Sequence, residues 1–242
     1  MSNNNKLVMR TGGAIRDYYK AIPSKYKQPK VDYPGRDKVN IDLPCRVAII
    51  GKSGAGKNQA LLHLIENIPA WGEFYLCLAN PDQPLWSYFI DQLMKVQKKI
   101  KKQILWVCDS PSKMPPIDEM VHDGVQKLWV YDDQLLKNKH EQAEMAKPFV
   151  YGRNLGISAI VLSQSWFGIN RIVRLQADYI LINKLNSNRD IKQIISDASL
   201  DVNLDNLMKM YEVATESVQN FLLIDKNTMD DSLKFRINLG DQ

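Results

Sequence analysis

Apolar positions along the chain fall into two alternating patterns. Nearly uninterrupted apolar runs occur at residues 46–50, 74–79, 104–108, 128–131, 156–163 and 177–183. Runs of this length, rich in Val, Ile and Leu, read as strands buried on both faces. Between them, apolar residues recur every three or four positions. The stripe Leu61, Leu62, Leu64, Ile65 and Ile68 predicts a helix over 57–67, and helices also read over 85–102 and 139–154. A basic segment over 169–176 precedes the last core run. Strands alternating with helices predict an α/β fold, a mostly parallel sheet flanked by helices. Past residue 184 the pattern changes. Helical periodicity over 189–198 and 204–215 precedes two apolar segments, 220–225 and 234–238, which could pair as a ribbon or extend the sheet. Before residue 41 periodicity is weak, and Gly12, Gly13, Pro23, Pro29, Pro34 and Gly35 break it. The expected organisation is an N-terminal arm over 1–40, a core over 41–184 and an α+β extension over 185–242. No internal repeat is visible.

Composition narrows the picture only in places. A chain of 242 residues, 45% hydrophobic, suits one α/β domain with extensions. No stretch approaches the roughly 20 apolar residues of a membrane span, and the polar start at Met1 has no secretory h-region. Cys45, Cys77 and Cys108 show neither CxxC nor metal spacing, which favours a reducing setting. Cys77 and Cys108 lie in apolar runs and are expected to be buried thiols. A net charge of +5 permits nucleic-acid contact without demanding it. Two segments concentrate the positive charge. The arm carries Arg16, Lys20, Lys25, Lys27 and Lys30 among Tyr18, Tyr19 and Tyr26; the 85–102 helix carries Lys95, Lys98, Lys99, Lys101 and Lys102. Either could meet DNA phosphates, the arm could equally meet a neighbouring subunit, and a solvated face accounts for both.

The chemistry begins where the first strand ends. Gly51, Lys52, Ser53, Gly54, Ala55, Gly56 and Lys57 lead from an apolar strand into a helix. That is the context of a phosphate-binding P-loop: glycines let backbone N–H groups converge on phosphate oxygens, and the helix N-terminus adds partial positive charge. Lys57 would reach the β- and γ-phosphates. The pattern calls for Ser or Thr next, with a hydroxyl for Mg²⁺, and here the residue is Asn58. An ordinary glycine-rich turn is the plain alternative. The strand 128–131 ends in Asp132 and Asp133. After a P-loop, Asp132 reads as a carboxylate serving Mg²⁺ through water and Asp133 as the group that polarises the attacking water; an Asp-Asp turn closing a strand is the other reading. The 156–163 strand ends at Gln164, where a γ-phosphate sensor would sit.

The order P-loop, strand–helix–strand insertion, acidic strand and polar-tipped strand is similar to the RecA-like branch of P-loop ATPases. Nucleoside-monophosphate kinases are the small-molecule alternative, but no arginine-rich lid is visible. The segments Leu128–Asp133, Tyr151–Gln164 and Ile172–Ile182 resemble the FtsK/HerA superfamily of DNA-pumping ATPases. Within it, the chain looks most like the genome-packaging ATPases of poxviruses, other large DNA viruses and virophages. The most specific piece is Gly-Arg-x-x-Gly-Ile-Ser from Gly152 to Ser158, followed by a hydrophobic strand ending in Gln164.

The resemblance implies a RecA-like core that binds ATP and Mg²⁺. Gly51 through Lys57 and Asn58 would hold the nucleotide, with Asp132 and Asn58 on the metal and Asp133 on the water, where the superfamily often has Glu. Gln164 would be the sensor. Arg153, with Arg171 and Arg174 as second choice, would reach a neighbour's γ-phosphate. The implied function is a double-stranded DNA translocase that packages a viral genome into a preformed capsid. It would work as a homo-oligomer, a hexameric ring, with a capsid or portal-region partner, in the host cytoplasm at the viral factory and in the virion. The 95–102 run and the loop 165–171 are candidate DNA grips, with Trp166 and Phe167 expected as packing residues. Two alternatives remain: a related motor of conjugation or secretion, and a nucleotide-binding scaffold whose hydrolysis Asn58 impairs.

Overall fold

The computed structural model describes residues 13–14, 16–23, 31–134 and 138–240. It forms two compact units, Met1–Lys30 and Val31–Gln242. In the first, Asp17 caps a single turn of helix, α1 (Tyr18–Ala21), by accepting from the Lys20 N–H. Tyr18 is exposed. Lys25, Tyr26, Lys27 and Lys30 lie outside the described residues.

The second unit opens with one turn of helix, α2 (Arg36–Val39), and is built on one sheet. Its parallel strands are β1 (Arg46–Ile50), β2 (Trp71–Leu78), β3 (Leu105–Cys108), β4 (Gln126–Asp132), β5 (Ile157–Ser163) and β6 (Tyr179–Ile182). β7 (Leu222–Asp225) and β8 (Phe235–Ile237) add antiparallel. The spatial order is β3-β2-β4-β5-β1-β6-β7-β8. The segments 220–225 and 234–238 therefore both pair with each other and extend the sheet. Every residue of β4, β5 and β6 is buried, which is why these strands read as continuous apolar runs.

Successive strand residues point to opposite faces, so the sheet builds two cores. Val47 and Ile49 of β1 pack with Leu61 and Leu64 of α3 (Lys57–Asn67) and with Trp86 and Leu93 of α4 (Pro84–Ile100). Ala48 and Ile50 face the other side. There they join Phe149 of α5 (Lys139–Tyr151), Val173 of α6 (Arg171–Gln176), Ile191 of α7 (Arg189–Ala198) and Leu207 of α8 (Leu204–Ala214). This is the α/β arrangement, a mostly parallel sheet flanked by helices, that the alternation implied.

Some features differ from expectation. Residues 31–40, read as part of the arm, belong to the compact unit. Tyr33 and Val39 are buried, Tyr33 Oη donates to the Ile41 carbonyl at 2.6 Å, and Arg236 donates to the Val39 carbonyl at 2.6 Å. The Arg236 contact joins residues 197 positions apart, which local periodicity cannot register. The 139–154 helix ends at Tyr151 and tightens into a 3₁₀ turn over Gly152–Leu155. Cys77 is buried, as expected, but Cys108 is only half-buried, because β3 is an edge strand. Burial pushes the Cys45 thiol up to about 12.

The loop after β1 is tied to both neighbouring strands. The Gly51 N–H donates to the Ser163 carbonyl, the Lys52 N–H to Lys184 and the Asn183 N–H to Ile50. The backbone at Gly51 runs so close to β6 that a Cβ there would lie 2.7 Å from Asn183 Cβ. Gly51→Ala should therefore destabilise the protein by about 1–3 kcal/mol through overpacking. A chemical denaturation midpoint checks it; an unshifted midpoint would contradict the close approach.

Candidate active site

The parallel strands all point their carboxyl ends to one edge, and β5 stands between β1 and β4. The chain segments leaving β1, β4 and β5 are thereby neighbours. They enclose a cavity of about 290 Å³ lined by Ser53, Gly54, Gly56, Lys57, Asn58, Gln59, Gln83, Leu85, Asp132, Asp133 and Gln164. Three segments read separately from sequence are thus brought together: the glycine-rich loop with Asn58, the Asp132–Asp133 pair and Gln164.

Gly56 is the N-cap of α3, with φ of +94°, and no side chain caps the helix. The first N–H groups of α3 are left for an anion, where the helix dipole favours negative charge. Lys57 is 8% exposed, and its ammonium donates to the carbonyls of Gly51 at 3.0 Å and Lys52 at 3.3 Å. Burial pulls its pKa down, while Asp133 and Asp132 oppose the fall. A phosphate arriving here would meet a desolvated cation already aimed along the loop.

Asp132 is 5% exposed. Burial raises its pKa; the Trp86 indole N–H, Lys57 and the Asn58 amide work the other way. The indole nitrogen lies 2.8 Å from Asp132 Oδ2. Asn58 Nδ2 also donates to Gln83 Oε1 at 3.2 Å. Asp133 follows the strand with φ of +52°, left-handed backbone that Asp tolerates better than most residues. Its Oδ1 is buried without a hydrogen-bond partner. Such an acceptor beside a second carboxylate suits a water or a hydrated cation. The donor set, two carboxylates and a side-chain amide, is the hard-oxygen chemistry of Mg²⁺. These residues fit a Mg²⁺ carried in with nucleotide phosphates, although Asn58 here turns its amide nitrogen to Gln83 Oε1.

Arg153 is elsewhere. It precedes β5, so it stands at the opposite end of the sheet from Gln164, roughly 20 Å away by strand length. Its guanidinium lies 3.1 Å from Asp178 Oδ1 and is about half exposed. The tighter partner of Asp178 is Arg46, at 2.6 Å. Burial alone would raise the Asp178 pKa, but hydrogen bonds from Arg46 and Asn227 bring it below the usual range. Of the second-choice arginines, Arg171 is exposed, and Arg174 pairs with Asp197 at 3.0 Å.

Two groups that sequence reading missed complete the surroundings. Trp86 is one. The other is Asp190, which is buried and accepts from the Ser165 hydroxyl and the N–H groups of Trp166 and Phe167, pinning the loop after Gln164 to α7. Neither carries a local signal, because each acts through a contact more than twenty residues away. Trp166 is buried as expected, whereas Phe167 is 50% exposed beside the Arg189 guanidinium. The lysines at 95, 98, 99, 101 and 102 are all exposed, and Lys102 pairs with Glu73 at 3.1 Å.

Comparison with known proteins adds a lineage. The family described as Poxvirus A32 protein matches residues 36–237. Among solved structures, the chain is similar to the genome packaging NTPase B204 from Sulfolobus turreted icosahedral virus 2. The complex with AMPPCP matches at TM-score 0.53 and 16% identity, over 82% of this chain and 99% of that chain. The sulfate complex matches at 0.51 and 16%, over 82% and 97%. The ATP-γS complex matches at 0.50 and 15%, over 82% and 99%. At this identity the likeness carries the fold. A search of curated proteins by sequence finds no match.

The left-handed backbone at Asp133 separates stability from chemistry. Asp133→Gly relieves that conformation, so the melting temperature should hold or rise, by the equivalent of up to about 1 kcal/mol. Nucleotide hydrolysis should fall by at least tenfold. A variant that melts markedly lower, or hydrolyses normally, would contradict this account of Asp133.

Proposed function

The chain belongs to the poxvirus A32 protein family, and from that premise we propose that it is an ATP-driven motor moving double-stranded DNA into a preformed capsid. The observation that carries the reading is the single cavity shared by the phosphate loop, Lys57, Asp132, Asp133 and Gln164. A similar fold that holds AMPPCP and ATP-γS in a genome packaging NTPase supports ATP as the ligand.

In this reading the α3 N-terminus and the loop N–H groups bind the phosphates, and Lys57 leaves the Gly51 and Lys52 carbonyls for the β- and γ-oxygens. Asp133 orients the attacking water and takes up its proton. Gln164 contacts the γ-phosphate and reports its loss to the loop that Asp190 holds. Asp132 and Asn58 would hold Mg²⁺, which supplies charge neutralisation on the phosphates when bound. Arg153 cannot serve its own pocket, so it acts on a neighbour's, in a ring that we take as hexameric. Such an arginine is worth about 10³–10⁵ in rate in related chemistry. DNA is held by its backbone without base readout, through the lysine run of α4 and the loop 165–171, and binding weakens steeply with salt. A capsid or portal-region protein anchors the ring, at the viral factory in the host cytoplasm and in the virion. Among the described residues no helix is long and apolar enough to cross a membrane.

Asn58 favours one competing reading. With its amide nitrogen engaged by Gln83, the chain could bind nucleotide and hydrolyse it poorly, as a scaffold. Asn58→Thr separates the two. Turnover within about threefold of the unaltered protein supports a working motor; a gain of a hundredfold or more supports the scaffold.

The direct test is ATP turnover with and without double-stranded DNA, on protein whose oligomeric state is measured in the same buffer. DNA should stimulate turnover, and Lys57→Ala should abolish it; turnover indifferent to both would sink the proposal. Sharing of the site between subunits has its own check. Arg153→Ala and Lys57→Ala proteins, each inactive alone, should regain activity when mixed. If the mixture stays inactive although the subunits exchange, Arg153 has no role in trans.

A further inference from the structure

α4 opens with two residues that reach the metal side of the cavity. Its N-cap, Gln83, accepts from Asn58, and one turn on, the Trp86 indole donates to Asp132 Oδ2 at 2.8 Å. Trp86 is 1% exposed and packs against Phe89, with ring centroids 6.2 Å apart. Trp86 and Leu93 are the two buried residues of this 17-residue helix, with Phe89 and Ile90 partly buried against the same core.

A buried indole has an N–H to satisfy, and a nearby carboxylate could be only a convenient acceptor. Elsewhere in this protein that need is met at Trp166, whose indole donates to Asp197 Oδ2 at 2.9 Å, but the indole nitrogens of Trp71 and Trp129 are buried without any hydrogen-bond partner. A buried indole here does not have to find a carboxylate, and the 2.8 Å contact from Trp86 places its N–H on an acidic residue that lines the cavity. It joins groups 46 positions apart in the chain. The contact also has a chemical consequence. A carboxylate with one oxygen fixed by a charge-assisted hydrogen bond loses its freedom to rotate, and the other oxygen is left for the cavity that Asp132 lines. Such outer contacts orient a ligand and tune its affinity for metal.

We propose that Trp86 is a positioning residue for Asp132: its indole N–H holds the carboxylate in the orientation that receives nucleotide-bound Mg²⁺. The proposal rests on the ATPase reading of the cavity. Trp86 itself touches neither nucleotide nor metal and acts only through Asp132. Gln83 accepts from Asn58 in the same turn, so the start of α4 stands behind both residues.

The test is calorimetric binding of ATP-γS in Mg²⁺ and in EDTA, on wild type and on Trp86→Phe, which keeps an aromatic ring against Phe89 and loses the donor. Affinity in EDTA should be unchanged, because the phosphate loop is untouched. Affinity in Mg²⁺ should fall by about 10–100-fold, the usual range for loss of an outer-shell partner. With Asp132→Ala already present, Trp86→Phe should cost nothing more. Equal loss in EDTA and Mg²⁺, no loss in Mg²⁺, or additive losses would each overturn the proposal and leave Trp86 as core packing. Wild-type protein that fails to bind ATP-γS at all would instead bring down the ATPase reading beneath it. Should Trp86→Phe not fold, the indole N–H resonance of Trp86 in wild-type protein decides the matter. A shift when Mg²⁺ is added to the ATP-γS complex supports the link to Asp132, and an unmoved resonance overturns it.

Discussion

Placement of β5 between β1 and β4 is the constraint on which the site depends. Once those three parallel strands are in register, their chain segments must emerge side by side at one edge. The phosphate loop, the paired carboxylates and Gln164 then converge without any dedicated scaffold. The register is set by burial. Each strand hides both faces, and a shift by one residue would exchange the two cores. Gly51 shows how tight the arrangement is, since the loop leaves β1 against Asn183 with no room for a Cβ. Chemistry at the edge is therefore an outcome of packing in the middle.

The edge also concentrates groups that a core avoids. Lys57 and Asp132 are nearly buried, each shifted toward its neutral form by burial and held back by the other. Asp133 adds a left-handed backbone and a buried oxygen without a partner. At Asp133, strain and unsatisfied polarity stand where a ligand would relieve them. The opposite end of the sheet is built differently: Arg46, Arg153 and Asn227 surround Asp178 and leave its oxygens well provided. The Asp178 carboxylate is satisfied, and that of Asp133 is open to a ligand.

Much of this was legible in the chain because parallel strands announce themselves. Val47 to Ile50 and Leu128 to Tyr131 are apolar without a break, and the glycines and Asp132–Asp133 stand at their ends. The strand segments past residue 220 were also visible, and only their partners were not. What escaped the sequence shares one physical cause. Trp86 on Asp132, Asp190 on the loop at Ser165, and Tyr33 in the core are long-range contacts, and no local periodicity encodes them. Phe167 looked like packing by its type alone, yet its loop turns it outward toward Arg189. Arg153 was named through resemblance; its position at the far end of the sheet restricts any action on phosphate to a second subunit.

The central claim is that hydrolysis in this cavity moves DNA. The most direct measurement is displacement of a short third strand from a DNA triplex, followed in time after ATP is added to protein and duplex. The account requires displacement with ATP, none with ATP-γS or with Lys57→Ala, and rates that fall as salt rises. Brisk ATP hydrolysis on the same DNA with the third strand left in place would contradict it.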